Sequence, residues 1–422
     1  MIARLGRVTA TAKGQSPSAF PFRLSTFRMS LDWLTDELAA LGRVGLRRSL
    51  PPGLSRQGAV VEHGGRELVN FASNDYLGIA DDPRLVAAAV EACQATGVGR
   101  GASPLVSGRA DVHAELEQRL AEFEGVEAAL LFPSGFAANA GTIPALVGPR
   151  DAVFSDARNH ASIIDGCRLA RARYIAYPHN DAAALERLLQ QRTGFRRRLI
   201  VTDTLFSMDG DLAPLAELAE LAERYDAMLM VDEAHATGVF GRGGRGGVEL
   251  AADAHPPQGE LIEQAIHVRV GTLSKALGTA GGFVAGSAEL IEWLANKARS
   301  YMFSTAQPAA AAAAGLAALD IVASEPQRRE RLLAMAAQLR TQLTEQGWRV
   351  PPGVSQIVPV IVGEPAAAVR LATALREAGL WVPAIRPPAV PEGESLLRIS
   401  LTAGHTPEML QLLTETLAKH AP

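Results

Sequence analysis

Seven short apolar runs, AALLFPSG, DAVFSD, ARYIAYP, RRLIVTDTLF, AMLMVDEAH, HVRVGTLS and GGFVAG, punctuate the middle of this chain. Each has the length and unbroken apolarity of a strand buried on both faces. Between several of them apolar residues recur every three or four positions, as in LAPLAELAELAERYD, which is the spacing of an amphipathic helix. Upstream, Leu31, Leu34, Leu38 and Leu41 share one helical face. DDPRLVAAAVEACQATG carries an Asp cap, Pro83 in its first turn and a closing Gly97, so both ends of a helix are written into it. Strand and helix in alternation predict an α/β fold with a mainly parallel central sheet covered by helices, and such sheets hold ligands at the carboxyl ends of their strands.

Beyond the alanine run at 309–314, which reads as a close-packed helix, the pattern changes to helix-like RLLAMAAQLRTQL and a later strand, LLRISL. The expected organisation is an extension over 1–28, an N-terminal helical segment over 29–72, a large domain over 73–310 and a smaller α+β C-terminal domain over 311–422. Residues 1–28 hold five basic and no acidic residues, a bias that fits an overlong start before Met29 or a transit segment.

Composition narrows the function classes. Of 422 residues 48% are hydrophobic and 20% charged, with a net charge of −4, so there is no basic field for nucleic acid. No apolar run nears the roughly 18 residues that span a bilayer. Cys93 and Cys167 are isolated, which suggests neither disulfides nor a metal site and fits a reducing cytoplasm.

The basic residues sharpen the picture further. Of 41, only four are lysines: Lys13, Lys275, Lys297 and Lys419. Arginine stays protonated and cannot serve as an amine nucleophile or a proton shuttle, so a lysine in this background is either incidental or chemical. Lys297 reads as a solvated helix position. Lys275 sits in GTLSKALGTAGG, among small residues that offer it no partner. A lysine used as a nucleophile forms an imine with a carbonyl, and the carbonyl most often carried by an enzyme is that of pyridoxal phosphate.

That cofactor needs an acid beside its ring nitrogen, a phosphate nest and a group on its face. Asp232 ends the buried run AMLMVD and is either that acid or the cap of the next turn. Ser134, Gly135 and Phe136 lie at a strand-to-helix turn whose free amides suit an anion. His160 offers a ring for stacking or is a satisfied surface histidine; His235 and Ser207 could hydrogen-bond the cofactor's hydroxyl oxygen. Three other motifs mislead. DEAH lacks any accompanying phosphate-binding lysine loop, GVGRGAS follows a predicted helix rather than a strand, and GRGGRGG lies within a folded-looking region of an acidic protein.

In order along residues 30–420, NFASNDYLGIA, PSGFAAN, NHASIIDG, TDTLFSMDGDLAPL, VDEAHATGVFGRGGRG, GTLSKALG, FSTAQP and LLRISL resemble the α-oxoamine synthases, fold-type I pyridoxal-phosphate transferases. The resemblance implies an acyltransferase that condenses an amino acid with an acyl thioester and loses carbon dioxide. It implies that Lys275 binds the cofactor as an imine, that Asp232 pairs with the ring nitrogen and that His160 stacks on the ring. His235 and Ser207 would lie at the hydroxyl side, and Thr272 with the amides of Gly135 and Phe136 would hold the phosphate. Ser304 and Thr305 would reach the phosphate from the other subunit of a homodimer. Arg398 would clamp a substrate carboxylate, with Asn74 near the substrate and Arg47 near the acyl chain. FSMDGDLAPL followed by DEAH is most similar to the biotin-pathway member, implying L-alanine and pimeloyl-CoA or a pimeloyl-carrier protein as substrates. A glycine-using ligase and a non-catalytic pyridoxal-binding partner subunit are the alternatives. Where the family carries a Gly- and Ser-rich run, this chain has GRGASPLVSG, and Pro104 alters that segment.

Overall fold

The computed structural model describes residues 31–48 and 57–421. Residues 1–28 and their expected role lie outside it. The chain divides into two units, Met1–Ser49 and Leu50–Pro422. In the first, the helix Trp33–Arg43 forms where the leucine spacing predicts it, and its leucines are exposed.

Among its described residues the second unit holds thirteen strands: β1 (Val60–His63), β2 (Arg66–Asn70), β3 (Ala128–Phe132), β4 (Ala152–Asp156), β5 (Arg173–Tyr177), β6 (Arg198–Asp203), β7 (Met228–Asp232), β8 (Val268–Thr272), β9 (Gly282–Gly286), β10 (Ile357–Gly363), β11 (Leu380–Trp381), β12 (Ala384–Ile385) and β13 (Ser395–Ser400). The seven apolar runs become β3 to β9. They form one sheet in the order β3-β9-β8-β7-β6-β4-β5, in which only β9 runs against its neighbours. Strands β4, β8 and β9 are buried along their whole length, because helices cover both faces of the sheet. The carboxyl ends of β3, β6, β7 and β8 therefore share one edge, the edge on which the motif residues were expected to converge.

The helix Pro83–Thr96 starts and stops as its sequence dictates. Asp82 accepts from the Arg84 amide, and Gly97 leaves the helix at φ +79°. Sequence and structure differ over 29–72. That stretch was expected to be helical, but β1 and β2 form an antiparallel pair whose edge takes β11 in parallel. Two four- or five-residue strands joined at Gly64 and Gly65 carry too little periodicity to stand out, and β2 gains its place from a strand some 310 residues later. A second small sheet, β10-β13-β12, brings LLRISL against the large sheet's open edge. Across residues 310–311 the core is continuous: the helix Ala309–Ser324 buries Ala312, Ala318 and Leu319 in the same cluster as Leu116, Val360 and Leu397.

Candidate active site

Two carboxylates end adjacent strands, Asp203 on β6 and Asp232 on β7, paired in register and both buried. Burial first, and the neighbouring Asp232 second, push the Asp203 carboxyl well above its ordinary range. Asp232 is held by neutral donors: Asn139 Nδ2 at 2.6 Å and the Ala234 amide at 2.9 Å. Asn139 also donates to Ser162 Oγ (3.0 Å), which lies 2.7 Å from His160 Nδ1. The His160 amide in turn donates to Asp203 Oδ2 (2.8 Å). A single hydrogen-bonded chain thus ties His160, whose side chain is exposed to the cleft, to both acids. Burial lowers the His160 pKa; Asp232 opposes this and Lys275 adds to it.

Lys275 follows β8 and is partly buried. It makes no side-chain hydrogen bond or ion pair among the described residues. Burial lowers its pKa to about 8, against the pull of Asp232 and Asp203 and with the push of Arg398. An amine in that range is an accessible nucleophile and base near neutral pH.

The other wall comes from β13 and from the turn after β2. Arg398 is buried, yet its partners are neutral: Nε donates to the Ser207 carbonyl (2.5 Å), Nη1 to Ser400 Oγ (2.7 Å) and Asn74 Oδ1 (3.0 Å), and Nη2 to Tyr76 Oη (3.3 Å). A buried guanidinium oriented by neutral groups is a ready receptor for an anion. Tyr76 Oη also lies 2.6 Å from His235 Nδ1. Burial, with Lys275 and Arg398 nearby, drives the His235 pKa well below 6.5 and keeps the ring neutral.

At the end of β3, Ser134 caps the helix Gly135–Leu146 by accepting from the Ala137 amide (3.1 Å). A Cβ on Gly135 would lie 3.4 Å from the Thr272 side chain, which places the two expected phosphate ligands side by side. Gly282 is required here, since a Cβ on it would come within 2.4 Å of the Gly135 amide nitrogen. Ser274 joins them, its hydroxyl 2.8 Å from Thr272 Oγ1.

Lys275, Asp232, His160, His235, Ser207, Asn74 and Arg398 are thus brought to one cleft, with Gly135, Phe136 and Thr272 at the adjoining turn. Ser304 and Thr305 are not in that group; with Pro104, Arg109, His113 and Glu117 they line a separate cavity. Arg47 is exposed on the N-terminal unit. Sequence reasoning missed Asn139 and Tyr76, although PSGFAAN and SNDYLG contain them. Both act through a neighbour, and nothing in a polar residue's type announces that. It also missed Glu233, buried beside Asp232, which accepts from Thr204 Oγ1 (2.8 Å) and the amides of Gly247 and Val248 (2.8 and 2.9 Å), pinning the glycine-rich loop that mimics an RGG tract.

Residues 66–417 match the family described as aminotransferase class I and II. An 8-amino-7-oxononanoate synthase of Anaeromyxobacter dehalogenans (strain 2CP-1) is 51% identical over 395 residues, covering 94% of this chain and 97% of that protein. The protein of the same name from Geobacter sulfurreducens is 51% identical over 391 residues, covering 92% and 97%. Among solved structures, serine palmitoyltransferase from S. paucimobilis, with a bound PLP-myriocin aldimine, matches at TM-score 0.84 and 32% identity, over 93% of this chain and 98% of that one. The 8-amino-7-oxononanoate synthase of Francisella tularensis matches at TM-score 0.71 and 26% identity, over 84% and 97%. The chain belongs to the aminotransferase class I and II family and, within it, stands with the 8-amino-7-oxononanoate synthases.

Proposed function

We propose that this chain is a pyridoxal-phosphate-dependent acyltransferase that condenses L-alanine with pimeloyl-CoA, or the carrier-protein thioester, to give 8-amino-7-oxononanoate, carbon dioxide and the free CoA or carrier thiol, for biotin formation. The observation that carries this reading is a partly buried lysine whose pKa burial lowers to about 8, beside a buried Asp232 held only by neutral donors and an Arg398 with no carboxylate partner among the described residues.

The residues fit the cofactor on chemical grounds. Lys275 supplies an amine for its aldehyde. Asp232 is a buried acid with only neutral donors, and so could accept from a ring N–H. His160 presents a ring to the cleft, and the Ser134–Phe136 turn beside Thr272 presents amides and a hydroxyl to a phosphate. When bound, pyridoxal phosphate supplies an electron sink for negative charge developing at the amino acid's α-carbon. The protein does the rest. Arg398, aligned by Ser207, Asn74 and Ser400, holds the amino acid carboxylate. Lys275 Nζ removes the α-proton and later returns one. Asp232 keeps a proton on the ring nitrogen, and its hold on Asn139, Ser162 and His160 keeps that geometry rigid. The neutral His235, backed by Tyr76, and the Ser207 hydroxyl would serve as partners for the cofactor's ring oxygen.

The active unit is a homodimer in this reading, with Ser304 and Thr305 completing the phosphate site of the other subunit, and the enzyme works in the cytoplasm. No single helix among the described residues is long and apolar enough to cross a membrane. The functional division of the second unit is into a cofactor-binding part over 73–310 and a smaller part over 311–422.

The solved serine palmitoyltransferase is the better structural match, so serine is the competing amino acid; the 51% identity to the synthases favours alanine. A mass-spectrometric assay offering alanine, glycine and serine against pimeloyl-CoA and acetyl-CoA decides between them. Eight-amino-7-oxononanoate as the dominant product is expected; a dominant product from glycine or serine overturns the substrate assignment.

A further inference from the structure

After β5 the chain turns through His179 and Asn180, and the histidine ring lies between two carboxylates. Nδ1 is 3.0 Å from Asp156 Oδ1, and Nε2 is 2.9 Å from Asp211 Oδ2. Asp156 ends β4, is 1% exposed, and already accepts from the Arg158 and Asn180 amides (both 2.8 Å). Asp211 already accepts from Asn180 Nδ2 (2.9 Å). Both acids are acting as acceptors, so both ring nitrogens must donate, and a ring donating at both nitrogens is an imidazolium. Asp209 lies near enough to His179 and Asp211 to suggest a cation site. Both His179 nitrogens are occupied, however, and Asp209 is paired with Arg158, so no ligand set is left over.

Asp211 and the residue before Ser207 are the two points that this ring touches on one hairpin. The segment from Thr204 to Ala213 folds back on itself: the Phe206 amide donates to the Asp211 carbonyl (3.0 Å), and Leu205 bridges Leu212. The Phe206 ring meets the His179 ring edge-on at 4.4 Å. Ser207 follows at the tip, and its carbonyl receives Arg398 Nε. On the far side Gly210, at φ +69°, leaves no room for a Cβ against the Ile357 carbonyl, and its own carbonyl accepts from Ser355 Oγ (2.6 Å). Arg158 adds a second brace, pairing with Asp209 on the hairpin and with Glu394 (3.1 Å), which immediately precedes β13.

We propose that His179 is a positioning residue for substrate recognition: by bridging Asp156 and Asp211 it fixes the Ser207 hairpin, and through the Ser207 carbonyl it fixes the direction in which Arg398 presents its guanidinium to the amino acid carboxylate. This rests on the assignment of Arg398 and Ser207 made above. The charged and titratable groups facing the ring or its two partners are Asp156, Asp209 and Asp211, then Arg158, Asp203 and Tyr177. Burial alone would lower the His179 pKa, but its bonds to Asp156 and Asp211 outweigh this and raise it to about 9. The bridge is therefore held well below pH 9 and weakens as the pH rises through about 9.

The test uses protein loaded with pyridoxal phosphate and two variants. Borohydride labelling of Lys275 is measured first. Half-saturation for L-alanine is then read from the change in visible absorbance, and inhibition by propionate, which carries the carboxylate without an amine, is followed across pH. His179→Ala should keep the Lys275 label, need roughly tenfold or more L-alanine, leave the KM for pimeloyl-CoA within about twofold, and regain affinity when imidazole is added. Asp211→Asn keeps the ring but removes one carboxylate, so the alkaline loss of propionate affinity should move to lower pH; it carries the test alone if His179→Ala does not fold. Wild-type alanine affinity in His179→Ala, or an unmoved propionate profile in Asp211→Asn, with the Lys275 label intact in either case, overturns the proposal. Failure to label Lys275 in the parent protein would instead overturn the cofactor assignment.

Discussion

The two edges of the seven-stranded sheet both bury charge, but they use it differently. At the carboxyl edge, Asp232 and Arg398 are held by neutral groups and Lys275 makes no side-chain hydrogen bond among the described residues, so their fields are directed outward to whatever binds. At the amino edge, Glu124 and Arg269 face each other: 1% and 3% exposed, 3.7 Å apart, with Arg269 also donating to the Glu124 carbonyl (2.6 Å). Burial is heavy enough there to lift the Glu124 pKa to about 8 despite the arginine. A perturbed pKa in a buried group is thus common to both edges. Chemistry is expected only where the perturbed group opens on a cleft beside a charge that has no opposite charge of its own.

That contrast can be broken by substitution. The largest effect is expected at Lys275→Ala, which removes both nucleophile and base and should cost at least about 10²-fold in turnover. A variant within tenfold of the parent would remove the distinction between the edges. Next, Asp232→Asn should retain cofactor yet exchange the α-proton of alanine in deuterated buffer about 10²-fold more slowly, since the charge behind the electron sink is gone. Unchanged exchange would show that Asp232 is only a turn cap. For Arg398→Ala, loss of a charge-assisted clamp should raise the KM for alanine by roughly 10- to 100-fold and change the KM for the thioester far less. A smaller effect concerns pH. Reconstitution of cofactor-free protein requires the neutral amine, so its rate should rise with pH through about 8 and then level off. A rise that continues toward the ordinary lysine range near 10.5 would mean that burial does not tune this residue.

The smallest effect belongs to the amino edge. Glu124→Gln should leave turnover within about twofold. Its stability consequence has a definite sign. The folded-state pKa of Glu124 is raised, so the folded protein binds a proton that the unfolded chain releases, and that contribution is lost as pH climbs from the unfolded value to about 8. Relative to the parent, the Gln variant should therefore gain in thermal stability above pH 8, which a melting curve at two pH values would check.

The same contrast explains what was legible in the sequence. All seven strands of the large sheet were readable: six because a strand buried on both faces must be apolar, and the edge strand β5, with three of its five residues exposed, because Tyr174, Ile175 and Ala176 still make a short apolar run. The placing of Lys275 and Asp232 at the ends of such runs was legible too, because a charge there stands out, and Asp232 also accepts from the next turn, as its alternative reading expected. The strands β1 and β2 were not, since they are short, partly exposed and completed only by β11. Asn139, Tyr76 and His179 were also hidden. Their side chains matter by holding Asp232, Arg398 and the Ser207 hairpin, and that role follows from three-dimensional neighbours rather than from residue type or spacing.

The central claim is covalent, and the chain's shortage of lysines makes it easy to test. Protein loaded with pyridoxal phosphate, reduced with borohydride and mapped by mass spectrometry should carry one label, on Lys275. A label on Lys13, Lys297 or Lys419 instead, or no label at all, would contradict the account.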